Sequence, residues 1–256
     1  MEHPRTLGIL GGLGPLSSVY FYEMLTTHTK ASCDQEHLNV LLSSCAEIPD
    51  RTAFILGKSS RNPLPEMQRE VVRLVSAGAE LIAIPCNTAH YFYDGVAEVS
   101  SVPILNIIEQ TVRYCRHLGL RRVGVLATEG TVRSGAYRLV LERYGIEYMT
   151  CSEADQQTVS RIIYGDVKQG REPDLDAFLQ VADSLTAGGC ERIILGCTEL
   201  SLLKKNWRLG TRFIDSLEVL ALCAISDCGK TPCGFDAELM RYSNEEGRKT
   251  ICFSKD

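Results

Sequence analysis

Short apolar runs alternate with helix-like segments along most of the chain, and the alternation is repeated in its two halves. The strand-like runs are residues 7–10, 39–42, 81–84 and 103–106 in the first half and 122–126, 192–195 and 213–215 in the second. Strands that are separated by helices pair in parallel, and such sheets are covered by helices on both faces. We therefore expect an α/β protein of two similar domains, each a short parallel sheet flanked by helices, related by a pseudo-two-fold internal repeat.

Apolar residues at helical spacing predict the connecting helices. Helices are expected at about residues 19–25, 65–77, 107–117, 134–144, 175–187 and 216–226. The chain should cross to a second domain near Arg113 and return near Asp215, so the first domain comprises residues 1–112 and 215–228 and the second residues 113–214. The polar residues 229–256 have no clear pattern, and no element is predicted for this tail.

The clearest sign of the repeat is a cysteine that follows a strand in each half. Residues 82–88 read IAIPCNT and residues 193–199 read IILGCTE, so Cys86 and Cys197 occupy matching positions 111 residues apart. Ligands of parallel sheets bind at the carboxyl ends of the strands, and two facing sheets would put both thiols in one cleft. One such cysteine could simply be a small residue at a strand end, but a matched pair indicates chemistry.

Two thiols on opposite walls of a cleft suit the removal of a proton from carbon on one face and its return on the other. Unsatisfied backbone N–H groups and the helix dipole favour a thiolate at the start of a helix, so we expect each thiol pKa to be tuned below about 8.5. One cysteine would act as the base while its protonated partner acts as the acid. A redox disulfide between them is the alternative use, although such pairs normally lie close in sequence.

Composition excludes several other classes of protein. The net charge is −5, with 27 Lys+Arg against 32 Asp+Glu, so the basic excess of a nucleic-acid-binding chain is missing. No apolar run reaches the roughly 18–20 residues that span a bilayer, and no signal-peptide pattern opens the sequence, so a cytoplasmic protein is expected.

The cysteine count constrains the chain further. There are eleven cysteines, an odd number, and no C-x-x-C pair, which argues against a disulfide scaffold and against a metal site. Nine of them match no motif and are interpreted as incidental: Cys33, Cys45, Cys115, Cys151, Cys190, Cys223, Cys228, Cys233 and Cys252.

A glycine-rich turn, GGLGP at residues 11–15, follows the first strand. It lacks the G-x-G-x-x-G order and the acidic residue about 20 positions later that mark a dinucleotide site, and no G-x-x-x-x-G-K-[ST] occurs. Backbone N–H groups of such a turn can instead meet a carboxylate. Gly12 and Leu13 are therefore candidate substrate-binding residues.

Three motifs together resemble the aspartate/glutamate racemase family, in its cofactor-independent branch. They are GILGGLGP (8–15), PCNTAH (85–90) and GCTEL (196–200), and the resemblance covers roughly residues 5–226 in the same order. It implies that Cys86 and Cys197 are the acid/base pair and that no pyridoxal phosphate or other cofactor is used. Glutamate racemases usually carry Cys-Thr-His and an Asp-Ser loop; Glu199 and the Gly12-Leu13 pair are similar to the aspartate racemase subgroup.

The resemblance also implies that Arg51 and Lys168 bind the carboxylates of the substrate. A dicarboxylate needs two cationic partners, and Arg can bind one carboxylate in bidentate fashion. The two residues lie 117 positions apart, in equivalent parts of the two halves. A lone Arg or Lys would be interpreted as a solvated surface charge, but the equivalent positions of these two argue against that interpretation.

Other motif residues have two possible roles each. Four loop residues would bind the amino and carboxylate groups of the substrate or serve as helix N-caps: Asn87, Thr88, Thr128 and Thr198. Glu199 is expected to tune the Cys197 thiol or to orient the ammonium group. His90 either polarises the Cys86 thiol or is structural.

We therefore predict a PLP-independent amino-acid racemase that interconverts the enantiomers of an acidic amino acid, aspartate first, by two-thiol proton transfer. Alternatives within the family are a glutamate, broad-specificity or hydantoin racemase and a maleate-type isomerase or decarboxylase. Alternatives outside it are a binding protein that senses an acidic amino acid and a thiol–disulfide redox protein. The only partner predicted is the small substrate, with no nucleic acid and no membrane, and the resemblance implies a homodimer.

Overall fold

The computed structural model describes residues 3–243, and over this range the chain forms two parallel sheets flanked by helices. The strands are β1 Leu7–Gly11, β2 Val40–Ser44, β3 Leu81–Ala83, β4 Ile104–Leu105, β5 Arg122–Ala127, β6 Glu147–Thr150, β7 Arg192–Gly196 and β8 Phe213–Asp215. The helices are α1 Pro15–Thr27, α2 Arg51–Ile55, α3 Leu64–Ser76, α4 Tyr93–Ala97, α5 Ile107–His117, α6 Glu129–Ser134, α7 Ala136–Arg143, α8 Glu153–Ser160, α9 Leu175–Ala187, α10 Thr198–Trp207, α11 Ser216–Asp227 and α12 Ala237–Ser243.

The two sheets have the same strand order. The first runs β2-β1-β3-β4 and the second β6-β5-β7-β8, with every neighbouring pair parallel. All five residues of β1 are buried, as expected of a strand that is covered by helices on both faces. The predicted α/β architecture and its internal repeat are confirmed.

A shared core joins the two halves. Its cluster contains Ile9 of β1, Val125 of β5 and much of α5 and α11. Nine of the twelve residues of α11 are buried, and this helix, which follows the second sheet, packs against α5 and α1. Burial of one large aliphatic side chain contributes roughly 1.5–3 kcal/mol to the free energy of unfolding. The buried side chains of α11 therefore stabilise the contact between the two halves, in which the carboxyl ends of the sheets face each other.

The structure contains elements that the sequence did not predict. The helix expected at 134–144 corresponds to α7, and the separate helix α6 precedes it, because Gly135 adopts a left-handed conformation (φ 68°) between them. Strand β6 was not predicted, since EYMT is a partly exposed edge strand without an apolar run. Within the tail, residues 237–243 form α12, which packs against α11 and α5; residues 244–256, with Cys252, lie outside the described residues.

Two further observations concern the chain as a whole. No helix within residues 3–243 is long and apolar enough to cross a bilayer. None of the ten cysteines in the same range is in a disulfide bond.

Candidate active site

The carboxyl ends of the two sheets meet at a small enclosed cavity that contains both motif cysteines. We call it the inner cavity, and its volume is about 10 Å³, room for about one water molecule. It is lined by Leu13, Asp50, Arg51, Thr52, Cys86, Asn87, Thr88, Thr128, Tyr164, Lys168, Cys197, Thr198 and Glu199. Every site residue predicted from the sequence except Gly12 is among them.

A larger cavity adjoins the inner one. This outer cavity has a volume of about 430 Å³, in the usual range of small-molecule sites (roughly 300–1,000 Å³). The residues that line both cavities are Leu13, Asp50, Arg51, Lys168 and Glu199. Those that line only the outer cavity are all uncharged: Gly12, Gly14, Pro15, Leu16, Ala46, Ile48, Val167 and Leu202. The charged residues therefore lie at the boundary between the two cavities, with uncharged residues on the outer side and the two thiols on the inner side.

Cys197 is the N-cap residue of α10 and contacts the carboxylate of the first turn. Its Sγ donates to Oε2 of Glu199 at 3.0 Å, and Oε1 of Glu199 lies 3.3 Å from Nζ of Lys168. Burial, followed by Glu199, raises the pKa of the Cys197 thiol well above its usual value. The expected lowering of this pKa by the helix N-terminus is therefore wrong for the ligand-free protein, because desolvation and a carboxylate neighbour disfavour the thiolate.

Lys168 is held on the second half in a short turn before α9. Burial disfavours its ammonium form, but Glu199 and the nearby thiols outweigh this effect and raise the pKa of Lys168. Its side chain is 26% exposed, so Lys168 is a partly buried cation at the boundary of the two cavities. Its interpretation as a solvated surface charge does not hold.

The glycine turn lets the two halves approach each other at this point. A Cβ on Gly14 would lie 2.5 Å from Oε1 of Glu199, so the Glu199 side chain would have to move. Gly12 has φ +80°, and a Cβ there would lie 2.5 Å from the backbone of Cys45. The loop of the first half thus requires glycine at position 12, where it packs on the backbone that follows β2, whereas a side chain at position 14 would make Glu199 shift.

Arg51 lies at the start of α2, which Asp50 caps by accepting from the amide of Ala53 at 2.6 Å. The guanidinium is buried and donates from Nη1 to two carbonyls of the preceding turn. Its Nη2 donates to the carbonyl of Leu13 at 2.5 Å, and its Nε is buried without a partner. Arg51 therefore fixes the glycine turn while one buried donor remains available for an anion.

Asn87 connects the two halves. Its Oδ1 accepts from the Tyr137 hydroxyl at 2.7 Å and its Nδ2 donates to Oγ of Ser216 at 3.0 Å. Ser216 in turn donates to the carbonyl of Leu195 on β7. Thr198 makes a comparable link, since its hydroxyl donates to the carbonyl of Pro85 at 3.3 Å.

Three buried hydroxyls form a further link between the halves. Thr88 lies 2.9 Å from Oγ1 of both Thr128 and Thr131, which are 3.0 Å apart. Thr128 is also the N-cap of α6, accepting from the amide of Thr131. The sequence left substrate binding and capping open for Thr128, and the structure establishes the cap.

His90 contacts the main chain of Cys86. Its Nδ1 lies 2.9 Å from the carbonyl of Cys86, and its Nε2 accepts from the amide of Ile107 at 3.2 Å. Burial lowers the pKa of His90 to about 4, so the ring is neutral near pH 7. These contacts favour the structural role for His90.

Three lining residues were not predicted from the sequence: Asp50, Thr52 and Tyr164. The first two flank Arg51 and could have been found from the capping pattern of Asp50. Tyr164 lies in an irregular π-helical turn, Arg161–Asp166, for which the sequence carries no signal. Within residues 3–243 no group of three or more His, Cys, Asp or Glu side chains is placed to hold a metal ion.

Comparison with known proteins gives consistent matches. The sequence model of the Asp/Glu/hydantoin racemase family matches residues 10–224. The broad specificity amino-acid racemase RacX of Bacillus subtilis (strain 168) is 29% identical over 228 residues, which is 86% of this chain and 96% of that protein. Glutamate racemase of Aquifex aeolicus (strain VF5) is 29% identical over 201 residues, 72% of this chain and 76% of that protein. The structure of Picrophilus torridus aspartate racemase superposes with a TM-score of 0.77 at 30% identity and covers 93% of this chain and 99% of its own.

Proposed function

The chain belongs to the Asp/Glu/hydantoin racemase family, and with this premise we propose that it racemises an acidic amino acid, aspartate first, without a cofactor. The observation that carries the proposal is that Cys86 and Cys197, one from the end of each sheet, line a single cavity. A carbon acid bound between them can lose its proton on one face and regain one on the other. Arg51, Lys168 and Glu199 at the edge of that cavity supply the charges for a substrate.

The charges at the boundary suit a dicarboxylate that also carries an ammonium group. Arg51 and Lys168 are two cations for two carboxylates, and Glu199 is an anion for the ammonium group. In the ligand-free protein Glu199 neutralises Lys168 at 3.3 Å, and the substrate would replace that contact. Charges of this kind act strongly in a cavity that excludes water.

The proposed proton transfer uses one thiol as base and the other as acid. The Cα–H bond breaks as a new S–H bond forms on the thiolate, and the electron pair stays on the substrate next to its carboxylate. The S–H bond of the second cysteine then breaks as a new C–H bond forms on the opposite face. Burial and the contact with Glu199 raise the pKa of the Cys197 thiol in the ligand-free protein, so Cys197 is poised as the acid in one direction, and the roles of the two cysteines exchange for the other enantiomer.

Substrate entry requires the two halves to separate. The inner cavity has a volume of about 10 Å³, too small for an amino acid. We propose that residues 1–112 with 215–228 and residues 113–214 move as two domains around the cleft, as domain closure commonly excludes water from a reaction. The outer cavity is the route by which the substrate arrives.

The test is proton NMR of L-aspartate, and separately of L-glutamate, in D₂O with reductant and no cofactor. Loss of the Cα–H signal together with appearance of the D-isomer is expected, and Cys86→Ala and Cys197→Ala should each abolish it. Cys33→Ala, at an exposed position, is the matched control that should retain it. No exchange with either acid from folded, reduced protein would contradict the proposal.

A broader substrate range is the second candidate. The outer cavity is lined beyond its charged boundary by uncharged residues only, which would accept an apolar side chain, and RacX is named a broad specificity racemase. The same NMR experiment with neutral amino acids separates the two candidates. Faster exchange of neutral than of acidic substrates would favour the broad-specificity function.

We further propose that the enzyme is a homodimer, as the family resemblance implies. Light scattering of the purified protein at micromolar concentration measures its mass directly. The chain mass is 28.3 kDa, so a species of that mass, with none of twice that mass, would contradict the proposal.

A further inference from the structure

The N-terminus of α1 carries a buried hydroxyl that the fold does not use. This helix of 13 residues follows the glycine turn directly, and no side chain caps its first turn, so its first N–H groups have no acceptor within the helix. Ser17 is the third residue of α1 and is 1% exposed. Its Oγ has no hydrogen-bond partner, whereas buried polar groups are normally paired.

The neighbouring serine has the opposite setting. Oγ of Ser18 accepts from the amide of Gly12 at 3.0 Å and donates to the carbonyl of Gly14 at 3.1 Å. These two bonds fix the glycine turn against the first turn of α1. Two adjacent serines at one helix end therefore differ, because Ser18 is part of the fold and Ser17 has a hydroxyl that remains available.

A carboxylate from the other half already lies at this helix end. A Cβ on Gly14 would lie 2.5 Å from Oε1 of Glu199 and 3.3 Å from Oγ of Ser17, so both oxygen atoms lie on the same side of Gly14. Free N–H groups and the helix dipole favour an anion at a helix N-terminus. Glu199 therefore occupies an anion site of the first half, while its Oε1 also contacts Nζ of Lys168 at 3.3 Å.

This carboxylate must leave when a substrate enters. The inner cavity has room for about one water molecule, so the halves must separate, and Glu199 and α1 belong to different halves. Separation removes Glu199 from α1 and leaves the helix end open to another anion. Gly14 and Pro15 line only the outer cavity, so the far end of a substrate held between the thiols is the part that reaches α1.

We propose that the N-terminus of α1, with the hydroxyl of Ser17, binds the side-chain carboxylate of the substrate in the place that Glu199 occupies in the ligand-free protein. The inference rests on the proposed function, because it assumes that an amino acid is bound between the thiols. The exchange frees Glu199 for the ammonium group. Ser17 then contributes to the preference for an acidic substrate, because a neutral apolar side chain cannot accept from its hydroxyl.

The test measures binding in the Cys86→Ala protein, so that turnover does not mix the enantiomers. L-Aspartate and L-alanine share the ammonium and α-carboxylate groups, and only aspartate has a side-chain carboxylate. Adding Ser17→Ala should weaken aspartate binding in calorimetry by about 10–100-fold, the value of a hydrogen bond to a charged group, and leave alanine binding unchanged. Thr26→Ala removes an exposed hydroxyl from the same helix and is the matched control that should change neither Kd.

Urea unfolding distinguishes a ligand site from a structural role. Because Oγ of Ser17 has no partner in the ligand-free protein, Ser17→Ala should not lower the urea midpoint. Ser18→Ala should lower it, because that variant loses two buried hydrogen bonds. A fall in the midpoint of Ser17→Ala as large as that of Ser18→Ala would overturn the inference.

Three binding results would also overturn it. They are equal losses for aspartate and alanine in Ser17→Ala, an unchanged affinity for aspartate, and no preference for aspartate over alanine in the Cys86→Ala parent. Absence of racemisation by the wild-type protein alongside the expected effect of Ser17→Ala would contradict the proposed function and support the anion site. Racemisation of aspartate alongside an affinity that is insensitive to Ser17→Ala would do the reverse, so the two failures are distinguishable.

Discussion

Cys197 and Glu199 are joined by a hydrogen bond in which the thiol donates to the carboxylate over an Sγ–Oε2 distance of 3.0 Å. The second carboxylate oxygen lies 3.3 Å from Nζ of Lys168. One side chain therefore keeps an acid protonated and neutralises a cation at the same time. A change of charge at Glu199 should be detectable at both neighbours.

Glu199→Gln should make the Cys197 thiol more acidic. Glutamine keeps the shape and a hydrogen-bond acceptor but removes the negative charge, which is among the causes of the raised pKa of Cys197, after burial. Alkylation of Cys197 by iodoacetamide should then begin at a lower pH than in the wild-type protein, with a rate gain of about tenfold for each unit of pKa change. Mass spectrometry of the labelled peptides over a pH series measures this.

Cys115 is the internal control for that experiment. It is fully buried, and burial alone raises its pKa to about 12, with no carboxylate partner among the causes. Its labelling profile should be identical in the two proteins. A shift at Cys115 as large as that at Cys197 would mean that the substitution loosens the fold, and an unshifted Cys197 would contradict the role of Glu199.

Gly14→Ala should displace the Glu199 carboxylate. The new Cβ would lie 2.5 Å from Oε1, so Glu199 must move away from Lys168, from Cys197 or from both. We expect a fall in kcat/KM of about tenfold or more, since one angstrom of misplacement can cost that much. A double-mutant cycle with Glu199→Gln is the check: additive losses would contradict transmission through Glu199.

The sequence was sufficient to predict every strand except β6 and to place the two thiols at strand ends. The buried residues of β1 and β7 form continuous apolar runs. Such runs are typical of parallel strands that are covered by helices on both faces. The positions of Cys86 and Cys197 at the strand ends follow from the repeat, and their shared cavity follows from the facing sheets.

The parts that the sequence could not predict depend on contacts between the halves. Gly14 packs against Glu199, 185 residues later in the chain, and no local pattern encodes that distance. The pKa of Cys197 is set by desolvation and by Glu199, whereas local reasoning considers only the helix terminus. Tyr164 reaches the cavity through a π turn, which has no periodicity to detect.

Tyr137→Phe should destabilise the protein without changing a residue that lines the inner cavity. The Tyr137 hydroxyl donates to Oδ1 of Asn87 at 2.7 Å, and both residues are buried. Its removal leaves an amide oxygen without this donor, which costs about 1–3 kcal/mol of the free energy of unfolding. Urea unfolding measures the loss. Tyr22→Phe, at a position 48% exposed, is the matched control and should change the free energy by less than about 0.5 kcal/mol.

His90 should make the protein sensitive to mild acid. Burial lowers the pKa of His90 to about 4 in the folded state, against about 6.5 in an unfolded chain. The unfolded state therefore binds more protons between these values, and the free energy of unfolding contributed by His90 is complete above pH 6.5 and is lost as the pH falls towards 4. The loss amounts to roughly 3 kcal/mol over the whole window.

Urea unfolding at several pH values between 7.5 and 4.5 isolates this contribution. His90→Gln should be less stable at pH 7.5, because it loses the contacts to the Cys86 carbonyl and the Ile107 amide, but its stability should fall less steeply with acid. His3→Gln, at an exposed position, should retain the wild-type slope. Parallel pH profiles for His90→Gln and the wild-type protein would mean that protonation of His90 does not lower the free energy of unfolding. That result would contradict the assignment of His90 as a neutral ring hydrogen-bonded to the main chain.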